Sequence, residues 1–140
     1  MAVVGRKPKP EDQRRNPNPP RHDWLEVVDR PFEDAPALPH RPHGRWSAWT
    51  LRWWCAISRM PHCVLWDEDD WQFAFDTALV AANFHAGQMA RANELRTREK
   101  IMGTTLDARR DLRIRYVEET AKQERASVTA IQDYRRELER

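Results

Sequence analysis

Four stretches of the chain repeat apolar residues at the three- and four-residue steps that are typical of α-helices. The first covers residues 46–60 and ends before Pro61, because proline stops a helix. Its stripe consists of Trp46, Trp49, Trp53, Ile57 and Met60, with Trp54 beside it.

The second predicted helix covers residues 67–86. Asp67 is its natural N-cap, and Glu68, Asp69 and Asp70 complement the positive end of the helix dipole. Gly87 suits a left-handed residue that ends this helix. A third helix over 88–102 ends at Gly103 by the same device.

The fourth helix is predicted to begin after Thr104 or Thr105 and to run to the C-terminus, since 106–140 contains neither Gly nor Pro. Its apolar residues alternate steps of three and four, a narrow stripe that predicts pairing with another helix. The predicted oligomer interface comprises this stripe and two tryptophans of the first helix: Trp53, Trp54, Ile114, Val117, Ala121, Val128, Ile131 and Leu138.

Proline separates the N-terminal third from these helices, with nine of ten prolines in residues 1–42. Residues 1–22 are basic and nearly free of apolar side chains, which predicts a disordered tail. Residues 23–45 are predicted to form an extended arm lying on its own domain or on a neighbouring subunit. The expectation is an all-α fold, with a core domain at 46–116 and an oligomerisation or partner helix at 117–140.

Composition adds that 24 basic residues nearly balance 22 acidic ones, for a net charge of +2. Charge distribution therefore matters more than total charge. No apolar run approaches the roughly 18 residues that a membrane span needs. Two cysteines do not form a disulfide framework, so a cytoplasmic setting is expected.

Catalytic and metal sites have stronger structural explanations. The acidic run Asp67–Asp70 could suggest a magnesium nuclease, in which Asp67, Asp70 and Asp76 would act. Adjacent helical residues point about 100° apart, however, and capping explains the run without a metal. The histidines and cysteines near residues 40–63 lack zinc-site spacing. Since no phosphate-binding loop is present either, we expect no enzyme activity, metal or cofactor.

Two groups of cations suggest contact with DNA phosphates. They are Arg6, Lys7, Lys9, Arg14, Arg15 and Arg21 in the tail, and Arg109, Arg110 and Arg113 in the fourth helix. A solubilising tail and a solvated helix face are the alternatives. Tryptophans interleaved with Arg45, Arg52 and Arg59 could stack on single-stranded bases, although their spacing favours core and interface.

The chain also resembles phage terminase small subunits of actinobacterial phages and prophages. The resemblance is carried by Arg52-Trp53-Trp54, by Asp67, Asp70, Trp71, Phe73 and Asp76–Leu79, and by Glu94, Leu95, Arg96, Arg98, Gly103, Thr105, Arg109 and Leu112–Ile114. Leu106 departs from a frequent proline and Ala108 from a frequent acidic residue.

The resemblance implies a ring-shaped homo-oligomer that recognises viral double-stranded DNA and binds a large terminase subunit carrying the catalysis. A transcriptional regulator is the alternative, with a helix-turn-helix formed by the second and third helices. In that case Arg91, Arg96, Arg98 and Lys100 would face the DNA.

Overall fold

The computed structural model of the protein describes residues 24–138, which are mostly helical with one small sheet. The elements are β1 (Leu25–Val28), α1 (Ala48–Ser58), α2 (Glu68–His85), α3 (Ala92–Met102), α4 (Leu106–Asp111), β2 (Ile114–Val117) and α5 (Glu119–Leu138). Short 3-10 helices, Pro61–Leu65 and Met89–Arg91, precede α2 and α3. The predicted tail at 1–22 lies outside the described residues.

The first helix forms as predicted but turns a different face inward. The Ser47 side chain caps it by accepting a hydrogen bond from the Thr50 amide. Trp54 and Ile57 are buried, whereas Trp49 is 68% exposed. The predicted stripe is therefore wrong for Trp49, because five helical residues place it about 140° from Trp54.

The cap predicted for the second helix is confirmed. The Asp67 carboxylate accepts hydrogen bonds from the amides of Asp69 and Asp70, and the Asp70 carboxylate accepts one from the Asp67 amide. At the other end Gly87 adopts φ +95°, and the Gln88 amide donates to the Asn83 carbonyl. This is the glycine-terminated helix end that the sequence predicts.

Aromatic rings close the core where the arm crosses α2. Trp54 packs against Trp71 and Phe75, with ring centroids 6.2 and 5.4 Å apart. Phe32 of the arm stacks on Trp71 at 6.0 Å, and Leu38 also joins this cluster. Phe32 and Leu38, which belong to the predicted arm, therefore pack against helices of the same chain.

The prediction of one continuous fourth helix is wrong. α4 ends at Asp111, Arg113 takes the left-handed φ of 59°, and the chain then enters β2. β2 pairs in parallel with β1, with Leu25 opposite Ile114 and Val28 opposite Val117. Ile114 and Val117 therefore belong to a strand rather than to a helical stripe, because a partner strand far away in sequence outweighs their local helical spacing.

After this strand, α5 is a separate helix. Val128, Ile131 and Tyr134 on it are between 53% and 64% exposed. The side chains of Ala121 and Leu138, predicted to share the interface, lie outside the described part of the chain. None of the helices in residues 24–138 has the length and apolar character needed to cross a membrane.

Candidate nucleic-acid interface

The predicted DNA-contacting cations occupy three different situations. Those of the tail, from Arg6 to Arg21, lie outside the described residues. Arg110 and Arg113 are exposed at the end of α4, where the Arg113 amide donates to the Arg110 carbonyl. Arg109 is half-buried and belongs to a cluster of internal contacts.

That cluster is centred on His62, whose side chain is 1% exposed. Its Nε2 lies 2.8 Å from the Met102 carbonyl oxygen, and its Nδ1 lies 2.6 Å from the Tyr116 hydroxyl. We call His62, Met102, Arg109 and Tyr116 the His62 cluster. It joins the 3-10 helix after α1 to the end of α3 and to β2.

Hydrogen bonding sets the protonation of this imidazole. A carbonyl only accepts, so Nε2 carries the proton toward Met102, and neutral Nδ1 accepts from the Tyr116 hydroxyl. Burial lowers the pKa of His62 from its ordinary value of 6.5, and the nearby Arg109 cation lowers this pKa further. The hydrogen bond to Met102 acts in the opposite direction and raises it. A neutral ring fits both partners.

Arg109 holds the end of α3 rather than facing solvent. Its Nη1 donates to the carbonyls of Gly103 and Thr104 at 3.3 and 3.0 Å. Its guanidinium lies 4.9 Å from the Tyr116 ring centroid, a cation–π distance. Burial raises the pKa of Tyr116, and the Arg109 charge opposes that rise. Of the three predicted α4-region cations, Arg110 and Arg113 are therefore the accessible ones.

Cys63 has the environment of a structural cysteine. It is fully buried and its thiol donates to the Ile57 carbonyl at 3.2 Å. Burial raises the pKa of Cys63 to about 12, so its reactive thiolate is scarce at neutral pH. Among the residues that the structure describes, His, Cys, Asp and Glu side chains form no group suited to a metal ion.

The predicted helix-turn-helix cations, which lie on α3 and at its N-cap, mostly bond within the chain. Glu94 pairs with both Arg91 and Arg98, at 3.5 and 3.2 Å. Arg98 also lies over the Phe73 ring, and Lys100 pairs with Asp111 at 3.3 Å. Arg96 is exposed.

Two residues of the predicted oligomer interface pack inside the chain. Trp54 is 8% exposed at the centre of the core. Trp53 is half-buried, and its indole N–H donates to the Glu99 carboxylate at 2.8 Å. Both tryptophans therefore stabilise the packing of α1 within this chain.

A cationic aromatic surface lies on the opposite side of α1. We call it the α1 outer face and define it by Trp49, Arg52, Ala56 and Arg59, all of which are exposed. The helical spacing of the tryptophans predicts that Trp49 is buried, so the sequence pattern does not reveal this surface as a whole. The signal available for it was charge, because residues 35–66 contain no Asp or Glu.

The His62 cluster offered no comparable signal. The sequence suggests His62 only as a candidate zinc ligand, and its partners Met102 and Tyr116 lie 40 and 54 residues further along the chain. Local spacing does not bring such distant residues together.

The chain matches a known protein family. A family model described as phage terminase small subunit covers residues 3–139. No curated protein and no solved structure matches the chain. The match spans the arm, all five helices and the sheet described above.

Proposed function

Because this chain belongs to the phage terminase small subunit family, we propose that it is the non-catalytic, DNA-recognising subunit of a viral genome-packaging machine. The observation that carries the proposal is the family match over residues 3–139. The capped carboxylates of α2 and the buried Cys63 thiol favour a role without catalysis. In this role the protein works in the cytoplasm of the host bacterium.

DNA binding in the proposal is electrostatic and polyvalent. The basic tail supplies Arg6, Lys7, Lys9, Arg14, Arg15 and Arg21, and the end of α4 adds Arg110 and Arg113. Cations that neutralise phosphates release counterions, which gives salt-dependent affinity for double-stranded DNA. Many weak tails on one oligomer gain strength through their effective concentration.

Deleting residues 1–22 tests this mechanism. We expect weaker duplex binding and a flatter salt dependence, because each lost phosphate contact removes about 0.9 from the slope of log K against log salt. Gel shifts across a salt series measure both quantities. Unchanged binding with an intact oligomer would refute the tail model, and Arg110→Gln with Arg113→Gln then tests the remaining cations.

Assembly in the proposal uses the exposed apolar side of α5. Val128 and Ile131 are 53% and 55% exposed on a helix after the sheet. Large apolar side chains on one side of a long helix favour burial against another helix. A homo-oligomer, closed into a ring, would supply that helix from a neighbouring copy.

Native mass spectrometry of Ile131→Glu tests the assembly. We expect the variant to lose subunits relative to the unmodified protein, because a charge enters the apolar contact. Gln132→Glu adds the same charge at the next exposed position and should keep the full mass. A dimer in the unmodified protein would instead favour a helix-turn-helix regulator.

The proposed partner is the large terminase subunit, which would be recruited and regulated by this protein. Co-purification of the two subunits, with and without DNA, measures that association. A protein that never co-purifies with its phage's large subunit under either condition would contradict this part of the proposal.

A further inference from the structure

We propose that the α1 outer face is a platform on which unpaired bases of single-stranded DNA stack while its arginines contact the phosphates. The inference rests on the proposed function, because it names a second form of DNA that the same protein holds. Such a platform requires an aromatic ring open to solvent, cations beside that ring, and a segment without acidic residues that would compete for those cations.

The ring is Trp49, which is 68% exposed although it stands in a helix whose other tryptophans pack inward. Trp53 is tied to Glu99 and Trp54 is in the core. The indole of Trp49 has no hydrogen bond or ring contact among the described residues. An open indole offers a π-face to any base, independent of its sequence.

The cations follow the same side of the helix. Arg52 and Arg59 stand three and ten residues after Trp49, steps that return to nearly one face of an α-helix. The two arginines are separated by about 10 Å along the helix axis. Arg45 precedes the N-cap and is also exposed.

These arginines differ from those of α3 in having no carboxylate partner. Within the described residues, Arg45, Arg52 and Arg59 form no ion pair, whereas Arg91 and Arg98 share Glu94. The reason lies in the sequence, since the segment from 35 to 66 contains four arginines and no acidic residue. This cationic segment is complementary to a polyanion.

The surroundings of Trp49 favour nucleic acid over a protein partner. Protein hot spots bury their aromatic residue within a ring of contacts that excludes water. Here the neighbours on the face are Arg52, Ala56 and Arg59, which provide charge and one small side chain. The alternating bases and phosphates of a single strand match an aromatic ring with cations beside it better than an apolar protein patch does.

Fluorescence anisotropy with a labelled oligothymidine and an abasic strand of equal length tests the proposal. Trp49→Ala should lower affinity for oligothymidine by about tenfold, because stacking supplies roughly one to three kcal/mol per base. Its affinity for the abasic strand should stay nearly unchanged. Trp49→Phe should restore much of the binding, and Arg52→Gln should weaken both strands through lost phosphate contact.

Met89→Ala is the matched control, because Met89 has the same 68% exposure but precedes α3. It should bind oligothymidine like the unmodified protein. Circular dichroism melting confirms that each variant folds, as expected for changes at exposed positions.

Two results would overturn the platform: Trp49→Ala binding oligothymidine normally, or losing equal affinity for both strands. An equal loss toward polyglutamate as well would assign the face to an acidic protein. If the unmodified protein binds duplex DNA but Trp49→Ala changes nothing, only this inference fails. If it binds neither duplex nor single strand, the proposed function fails with it.

Discussion

The ends of α3 and α4 share one backbone conformation but carry different residues. Gly103 after α3 has φ 73°, and Arg113 after α4 has φ 59°. In the described part of the chain, Arg113 is the one non-glycine residue with a positive φ. Both residues stop a helix and redirect the chain, yet one lacks a side chain and the other has a long cation.

Their surroundings explain the difference. A Cβ on Gly103 would lie 3.1 Å from Leu112 Cδ1 and 3.2 Å from His62 Nε2, so these neighbours would have to shift slightly to admit a side chain. Arg113 is exposed, and its side chain meets no such limit. Packing and backbone conformation therefore both favour glycine at the first end, whereas the second end keeps a cation despite a backbone conformation that disfavours it.

The largest effect on stability is expected from removing the side chain that holds the end of α3 in place. We expect His62→Ala to lower the free energy of unfolding by about 3 kcal/mol or more, because it leaves a cavity and removes the hydrogen-bond partner of the Met102 carbonyl and the Tyr116 hydroxyl. Urea denaturation measures the change. His43→Ala changes an exposed histidine and should leave stability nearly unaltered; a similar loss in both would contradict the His62 cluster's role.

A smaller effect is expected where glycine itself is replaced. Gly103→Ala should cost about 2 kcal/mol, because the left-handed backbone and the contact with Leu112 both disfavour a methyl group. Gly87→Ala is its control, since a Cβ there meets nothing within 4 Å. It should cost about 1 kcal/mol from backbone conformation alone. Equal losses would show that crowding at Gly103 is unimportant.

Arg113→Gly should act in the opposite direction. Relief of the left-handed strain exceeds the extra chain entropy of glycine, so we expect a gain of about 0.5 kcal/mol. The same variant should bind duplex DNA more weakly if Arg113 contacts phosphate. Calorimetry and gel shifts together measure whether stability and binding change in opposite directions; a destabilised variant would show that the arginine side chain supports the fold.

The smallest expected effect is the pH dependence that His62 contributes to the free energy of unfolding. The pKa of His62 is lowered in the folded protein, so the unfolded chain binds its proton more readily below pH 6.5. The contribution of neutral His62 to stability is therefore complete above pH 6.5, and it is lost as the pH falls toward the lowered pKa of the folded protein. Urea titrations from pH 8 to 5 should show a shallower decline in His62→Gln, and identical declines would contradict this assignment.

Local patterns predicted the elements whose signals are local. The α2 cap depends on Asp67 and Asp70, three residues apart, and the ends at Gly87 and Gly103 depend on single glycines. Each of these is a short-range hydrogen-bonding or backbone effect, visible in a few letters of sequence. The family resemblance was also readable, because its motifs lie in continuous strings.

The strand β2 and the His62 cluster were not predictable in this way. Ile114 and Val117 fit a helical step equally well, and only pairing with Leu25 and Val28 makes them a strand. The exposure of Trp49 on the α1 outer face was difficult to predict for a related reason. Spacing measured from Trp46 suggested burial, but Trp46 precedes the helix and its indole donates to the Pro39 carbonyl of the arm.

The parallel pairing of β1 with β2 has a mechanical consequence. The chain enters β1 at Leu25, at one end of the strand pair, and leaves β2 after Val117, at the other end. If the tail is held on DNA and α5 is held in an assembly, as proposed above, tension between them would slide the strands past each other. Hydrogen bonds such as those from Leu25 to Arg113 and from Asp29 to Val117 would then bear the load together rather than open one at a time. The parallel pairing therefore orients the small sheet so that it resists such a pull in shear.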